Sequence, residues 1–562
     1  MTWAKRRAIV IGLVILFLAL FVWLAWGPAR LPSNSVLVVD ATGQIEEQRS
    51  SGLVRALNGY QPVLHDYLDA IDSAARDPRI EGMVVRIGTM ETGWAKIEEI
   101  RSHLLAFQKS GKPSVCYLGY DGLGNPEYFL ATGCSQIWLV PTVQVGIRGM
   151  MAQTLFFRGS LDKLKVVPEY YHIAQYKTAA NSYTEKKFTP AHKEEVESLL
   201  HSIYDEYISG VSSARHIDRA EFEKIVERGP LLTRDAVDSR VVDRLGYWDQ
   251  VRAYFRHGQR EWNPISIEQY RAYIPNVTGP TIAVVHATGD IVSGSSQDSP
   301  TGGFIMGGDT VASELRQVRQ DPSVKAIVLR IDSGGGSVAG SEVIRREVEL
   351  ANDVKPVVVS MSDVAASGGY WIATPARKIV ADPDTITGSI GVLIGKFNIS
   401  GLYTLLGMTT DYVSTSPNAT IFSDQQNFTA DQQALIQKSL NETYAEFTGG
   451  VARGRHMSIE AVDKIAKGRV WSGAQAKQLG LVDELGGLDT AIEVAKQLSN
   501  IPASTAVHIV RYPRQKTFLQ LLVEREENLS ASTSTSVQAV LRRILDNNGT
   551  IQASMPYRLT IR

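Results

Sequence analysis

Val242-Asp243-Arg244-Leu245-Gly246 returns as Val482-Asp483-Glu484-Leu485-Gly486, 240 residues further along the chain. At the same offset Arg215-His216 returns as Arg455-His456, and Phe188-Thr189 as Phe428-Thr429. Recurrence this regular marks two copies of one folding unit, and it decides how every other segment is read. Behind each threonine stands a helical pattern. Thr189 suits a cap and Pro190 the first helical position, with Val196, Leu200, Tyr204, Tyr207 and Val211 along one face; the second copy has Ile436, Leu440, Tyr444, Phe447 and Val451. Nearer the start of each copy the offset drifts: Lys112-Pro113 pairs with Lys355-Pro356, and residues 36–43 with 282–289, as insertions in loops would cause.

Apolar, strand-like runs at 36–39, 82–87 and 114–118 recur at 282–285, 326–331 and 357–361, alternating with amphipathic stretches. That order predicts an α/β protein with largely parallel sheets, one domain per copy, at 34–255 and 280–510. Residues 256–279, with Pro264, Pro275 and Gly279, read as a linker. Residues 511–562 match neither copy and include a low-complexity run, 530–536, so a peripheral tail is expected. Ahead of the first copy, residues 8–26 are apolar throughout, and a helix of that length spans about 28 Å, close to the hydrocarbon thickness of a bilayer. Lys5, Arg6 and Arg7 precede this run and only Arg30 follows closely, which puts residues 1–7 in the cytoplasm and both copies across the membrane. A cleaved signal peptide is the competing reading. The length of the run, and Pro28 directly behind Ala25-Trp26-Gly27, favour an uncleaved anchor.

With 44% apolar residues in 562, the chain can bury large cores, and 58 Lys plus Arg against 59 Asp plus Glu gives no support for a nucleic-acid partner. Cys116 and Cys134 match no zinc spacing, and neither HExxH nor CxxC occurs, so no metal or other cofactor is expected. Cys116 lies in an apolar run and is expected as an inert buried thiol, with an 18-residue bridge to Cys134 as the alternative.

The copies are most informative where they diverge. After its strand at 326–331 the second copy has Asp332-Ser333-Gly334-Gly335-Gly336-Ser337, where the first has Gly88-Thr89-Met90-Glu91-Thr92. It also carries Val364-Ala365-Ala366-Ser367-Gly368-Gly369-Tyr370-Trp371; counted back from the shared tyrosine, Tyr128, the first copy has Asn125 where Ser367 stands. Glycines directly after a strand let the backbone approach a ligand and present N–H groups to a tetrahedral oxyanion, and a serine at a strand-to-helix turn has such donors beside it. Together they outline an acyl-transfer site. No histidine accompanies the serine in a triad arrangement, and His216 and His456, present in both copies, are expected to do structural work. A lysine can replace histidine if it is neutral. Lowering its pKa from about 10.4 to about 7 takes roughly 4 to 5 kcal/mol against the ammonium form, which demands an enclosed pocket.

Tyr176-Lys177-Thr178-Ala179, the Gly-Gly-Gly-Ser loop, the Ala365–Trp371 segment and Thr387-Gly388-Ser389-Ile390-Gly391 together closely resemble the long, Gram-negative form of the signal peptide peptidase A family, protease IV. The resemblance runs from the anchor to about residue 510. It implies Ser367 as nucleophile, Lys177 as general base, Gly335, Gly336 and Gly368 as oxyanion donors, and Ser389 as the hydroxyl that helps hold the lysine. It also implies the Clp protease and crotonase fold, a homotetramer on the bacterial inner membrane with its catalytic domains in the periplasm, and spent signal peptides and other apolar peptides as substrates. One departure is Gly334, where the family usually has proline; the loop loses a fixed φ, about 0.4 to 1 kcal/mol of stability. The second copy's counterpart of the Lys177 region, 414–419, has no lysine, so each copy keeps one half of a dyad. The alternatives are a crotonase-type acyl-CoA enzyme, which calls for an acidic catalytic residue, and a non-enzymatic membrane scaffold.

Overall fold

A parallel strand covered on both faces is apolar without alternation, and residues 326–331 come close to such a run: Ala326, Ile327, Val328, Leu329 and Ile331 are fully buried, and so is Arg330, which pairs with Glu47 and Glu99. A computed structural model describes residues 31–49, 60–120, 122–256, 262–298, 304–514, 552–554 and 560–561. In it this run is the middle of strand Val324–Ser333, paired in parallel with Thr281–Thr288 on one side and Val357–Ala366 on the other. The corresponding strand of the first copy, Ile80–Met90, lies in the same way between Ser35–Gly43 and Ser114–Leu118.

The correspondence extends across both sheets. The first sheet orders its strands Arg244–Leu245, Gln136–Leu139, Ser114–Leu118, Ile80–Met90, Ser35–Gly43 and Asn263–Ser266, all parallel. The second has Glu484–Leu485, Lys378–Ala381, Val357–Ala366, Val324–Ser333, Thr281–Thr288 and His508–Tyr512 in the same sequence, and adds Ile386–Gly388 and Val470–Ser472. The fold is therefore α/β and internally duplicated. Residues that recur at an offset of 240 do the same work twice. Arg215 pairs with Asp243, whose carboxylate accepts from Ile137 N; Arg455 pairs with Asp483, which accepts from Ile379 N. His216 and His456 end helices Pro190–Arg215 and Ala430–Arg455 in the left-handed conformation. Thr189 and Thr429 cap the same helices by accepting from His192 N and Gln432 N. Leu199 rather than Leu200 takes the buried position on the first helix, because a 3.6-residue turn drifts from a strict spacing of four.

Three expectations are corrected. Cys116 is not a free thiol: it is bonded to Cys134, their Cα atoms 5.6 Å apart, because helix Asn125–Ala131 carries the chain back to the start of the strand beside Ser114–Leu118. Part of the 256–279 segment is sheet: Asn263–Ser266 forms an edge strand against Ser35–Gly43, where Pro264 is tolerated because an edge leaves one side without ladder bonds. The tail is not wholly peripheral. Gln552–Ser554 enters a third sheet between Gly335–Ser337 and Leu393–Asn398, and Thr560–Ile561 pairs with Ala152–Gln153. Residues 1–7, the apolar run 8–26 and the low-complexity run 530–536 lie outside the described residues, among which no helix is long and apolar enough to cross a membrane.

Candidate active site

Strand Val357–Ala366 ends at Ser367, where the chain turns into helix Gly368–Ala373. Ser367 takes φ 55° and ψ −113°. For a residue with a Cβ this conformation costs on the order of 1–3 kcal/mol, so its surroundings must hold it. They do so through the backbone: Ser367 N donates to Gly388 O and Ser367 O accepts from Trp371 N, each at 2.8 Å. A strained serine between a strand and a helix is the geometry that presents an Oγ at the end of a sheet.

Lys177 of the first copy meets it there. Its Nζ stands 2.7 Å from Ser367 Oγ, 2.9 Å from Ser389 Oγ and 3.2 Å from Ser389 O, and all three residues are fully buried. Ser367 Oγ is also 3.5 Å from Gly391 O. Burial brings the Lys177 amine down to about 7, against the Glu195 carboxylate, which acts to raise it. The lysine's backbone is fixed by the second copy. Tyr176 N donates to Lys467 O, Gly468 N to Ile390 O and Ser389 N to Arg469 O, so residues 467–469 tie the Lys177 segment to residues 389–390, just after strand Ile386–Gly388. Gly468, at φ +83°, permits the approach: a Cβ there would lie 2.5 Å from Lys177 N and 2.6 Å from its Cα.

The glycine loop lies beside this pair. Ser333 Oγ donates to Gly289 O and accepts from Gly335 N, so the Gly335 N–H is engaged within the loop. Gly336 pairs with Ile291 on one side and with Ala553 of the tail on the other. Gly368 opens its helix, where the first N–H groups have no partner inside the helix. In the first copy Asn125 opens the equivalent helix, and its Oδ1 accepts from Arg148 N. The structure thus brings Ser367, Lys177 and Ser389 together, with Gly336 and Gly368 on flanking elements.

Sequence reasoning missed Glu195, which is fully buried and accepts from Val470 N and Thr178 Oγ1. The signal was present: at the 240-residue offset its counterpart is Leu435. It also missed Gly468, whose role depends on contact with a residue nearly three hundred positions away.

The model of peptidase family S49 matches residues 106–260 and again 349–502. The chain belongs to peptidase family S49. Protease 4 of Salmonella typhi is 34% identical over 570 residues, covering 95% of this chain and 90% of that protein. The chloroplastic serine protease SPPA of Arabidopsis thaliana is 32% identical over 87% of this chain and 73% of its own. Among solved structures, a ClpP1 point mutant from Listeria monocytogenes aligns with 37% of this chain and 94% of its own at 16% identity, with a TM-score of 0.25. This S49 member is a serine protease in the long form that carries the family's domain twice.

Proposed function

We propose that the chain is a Ser–Lys dyad endopeptidase that degrades spent signal peptides and other apolar peptides. The observation that carries this is the 2.7 Å separation of Lys177 Nζ and Ser367 Oγ in a pocket closed to solvent. The neutral amine takes the hydroxyl proton as Oγ attacks a peptide carbonyl. Gly336 and Gly368 donate to the oxyanion; Gly335, whose N–H serves Ser333, shapes the loop. Lys177, now ammonium, protonates the leaving amine and leaves Ser367 acylated. Water then gives a proton to Lys177 and its oxygen to the acyl carbon, and the proton returns to Ser367 as the acid departs. Ser389 holds the amine toward Ser367 throughout.

The path of the peptide is suggested by the chain's own tail. Gln552–Ser554 runs antiparallel to both Gly335–Ser337 and Leu393–Asn398. An extended substrate would take that place, bonding by its main chain to the edge beside the glycine loop, while pockets receive alternate side chains.

Residues 8–26 would anchor the protein in the bacterial inner membrane with both copies in the periplasm, where apolar peptides left in the bilayer are within reach; the Cys116–Cys134 bond fits an oxidising compartment. We carry the homotetramer implied by the family resemblance as part of this reading. An acyl-CoA reaction and a scaffold role are the readings the same experiment excludes. Ser367→Ala and Lys177→Ala are each expected to abolish cleavage of an apolar peptide, and a serine-reactive phosphonate should label wild type but not Ser367→Ala. Undiminished hydrolysis in either variant overturns the dyad.

A further inference from the structure

The strand that leads to Ser367 does not run straight to it. Along its pairing with Val324–Ser333, Ile331 lies opposite Met361, and the next pair is Ser333 with Ala365. Asp332 alone therefore faces Ser362, Asp363 and Val364. Bulges of this kind bend a strand and re-aim the side chains after it. Beyond this bulge stand Ala365 and Ala366, leading to Ser367, on one strand and the glycine loop on the other.

A side chain from the other copy fills the bulge. Lys96, on helix Trp94–Gln108, is buried, with Nζ 2.7 Å from Asp332 Oδ2 and 3.3 Å from Asp363 Oδ2. Its backbone N donates to Asp363 Oδ1 at 3.0 Å, so a carboxylate of the second copy serves the open N-terminus of a first-copy helix. The other oxygen of Asp332 accepts from Val364 N at 3.2 Å, closing the bulge on itself. Gly93 makes room, since a Cβ there would overlap the Asp363 carboxylate. Beyond Asp332, Ser333 Oγ holds Gly335 N. One ammonium group thus joins the segment before the nucleophile to the segment before the oxyanion loop.

We propose that Lys96 is a positioning residue for the peptidase: its ammonium braces the bulge that sets Ser367 against the oxyanion donors. The inference rests on the dyad reading above. Lys96 touches neither Ser367 nor Lys177, so its loss changes alignment in the transition state more than substrate affinity, and misplacement of reacting groups by about 1 Å can cost on the order of 10²-fold.

The test is Lys96→Met/Asp332→Asn in the full chain, which removes one positive and one negative charge together. Melting temperature, kcat, KM, the pH profile and the rate of phosphonate labelling are measured beside wild type and Ser367→Ala. Expected are a folded protein, kcat lower by about 10²-fold, labelling slowed in proportion, KM within about threefold and an unmoved acid midpoint. A folded variant with kcat within about threefold of wild type overturns the proposal, and so does a loss confined to KM. If the pair does not fold, Asp332→Asn decides alone: it keeps Lys96 and the side-chain shape, a tenfold fall in kcat is expected, and an unchanged kcat refutes the brace. A Ser367→Ala control that still hydrolyses peptide brings down the dyad instead, independently of Lys96.

Discussion

Titration of Lys177 is the most exposed consequence of the site. With its pKa near 7, the amine is neutral in about 9% of molecules at pH 6 and about 91% at pH 8. If the neutral form is the base, kcat/KM for an apolar peptide rises about tenfold over those two units and then levels. A solvated lysine near 10.4 would be about 0.04% neutral at pH 7, and the rate would climb about tenfold per unit toward pH 10. Initial rates well below KM, from pH 5.5 to 10, separate the two cases. Stability supplies a second, independent reading. The folded pKa lies below the unfolded one, so between about pH 7 and 10 the unfolded state binds more protons and wild-type stability rises with pH. The buried amine costs about 4 kcal/mol at pH 7 and about 2 kcal/mol at pH 9. Lys177→Met removes that cost, so its stability advantage over wild type should shrink by about 2 kcal/mol between these two pH values in paired denaturant titrations. A rate still climbing between pH 8 and 10, or an advantage independent of pH, refutes the reasoning.

Glu195→Gln removes a carboxylate that holds the Lys177 amine upward; the acid midpoint of kcat/KM should move to lower pH, and a midpoint that stays or rises contradicts the assignment. Gly468→Ala forces a Cβ to within 2.5 Å of Lys177 N at φ +83°, and should lower kcat by about 10²-fold; a fully active variant would mean that the 467–469 segment does not position the base. Deleting residues 552–562 frees the facing edges of Gly335–Ser337 and Leu393–Asn398, so KM for an extended apolar peptide should fall, and an unchanged KM would separate the tail's groove from the substrate's.

Much of this was legible because the chain contains its own comparison. The strands and long helices announce themselves through local periodicity, and the repeat assigns them in pairs. Ser367 stood out against Asn125 for the same reason, and Glu195 would have stood out against Leu435. What remained hidden depends on pairing between distant segments. Gln552–Ser554 is too short to carry a pattern, and its place is set by the two edges it joins. Pro264 disguised an edge strand. The Cys116–Cys134 bond requires knowing that one helix returns the chain beside its own strand.

Two buried lysines reach from the first copy to the second, and their amines shift in opposite directions, which separates the effect of burial from that of neighbouring carboxylates. Desolvation is the largest influence on both and acts downward on both. Lys177 has hydroxyls and a carbonyl within hydrogen-bond distance, and among the described residues Glu195 alone opposes the shift, so burial prevails. Lys96 has Asp332 and Asp363 at contact, and their attraction carries its amine well above the ordinary lysine range. A base must be kept clear of carboxylates, whereas a brace must be given them. The second copy places Asp332 and Asp363 just ahead of the glycine loop and Ser367, so an amine brought into contact with those carboxylates is held as ammonium, as that of Lys96 is. Lys177 is instead held against residues 467–469, where its near neighbours are Ser367 and Ser389. On the mechanism proposed above, division of the dyad between the copies serves the chemistry: one lysine stays charged between Asp332 and Asp363, while the other, set among hydroxyls, is kept neutral enough to take a proton.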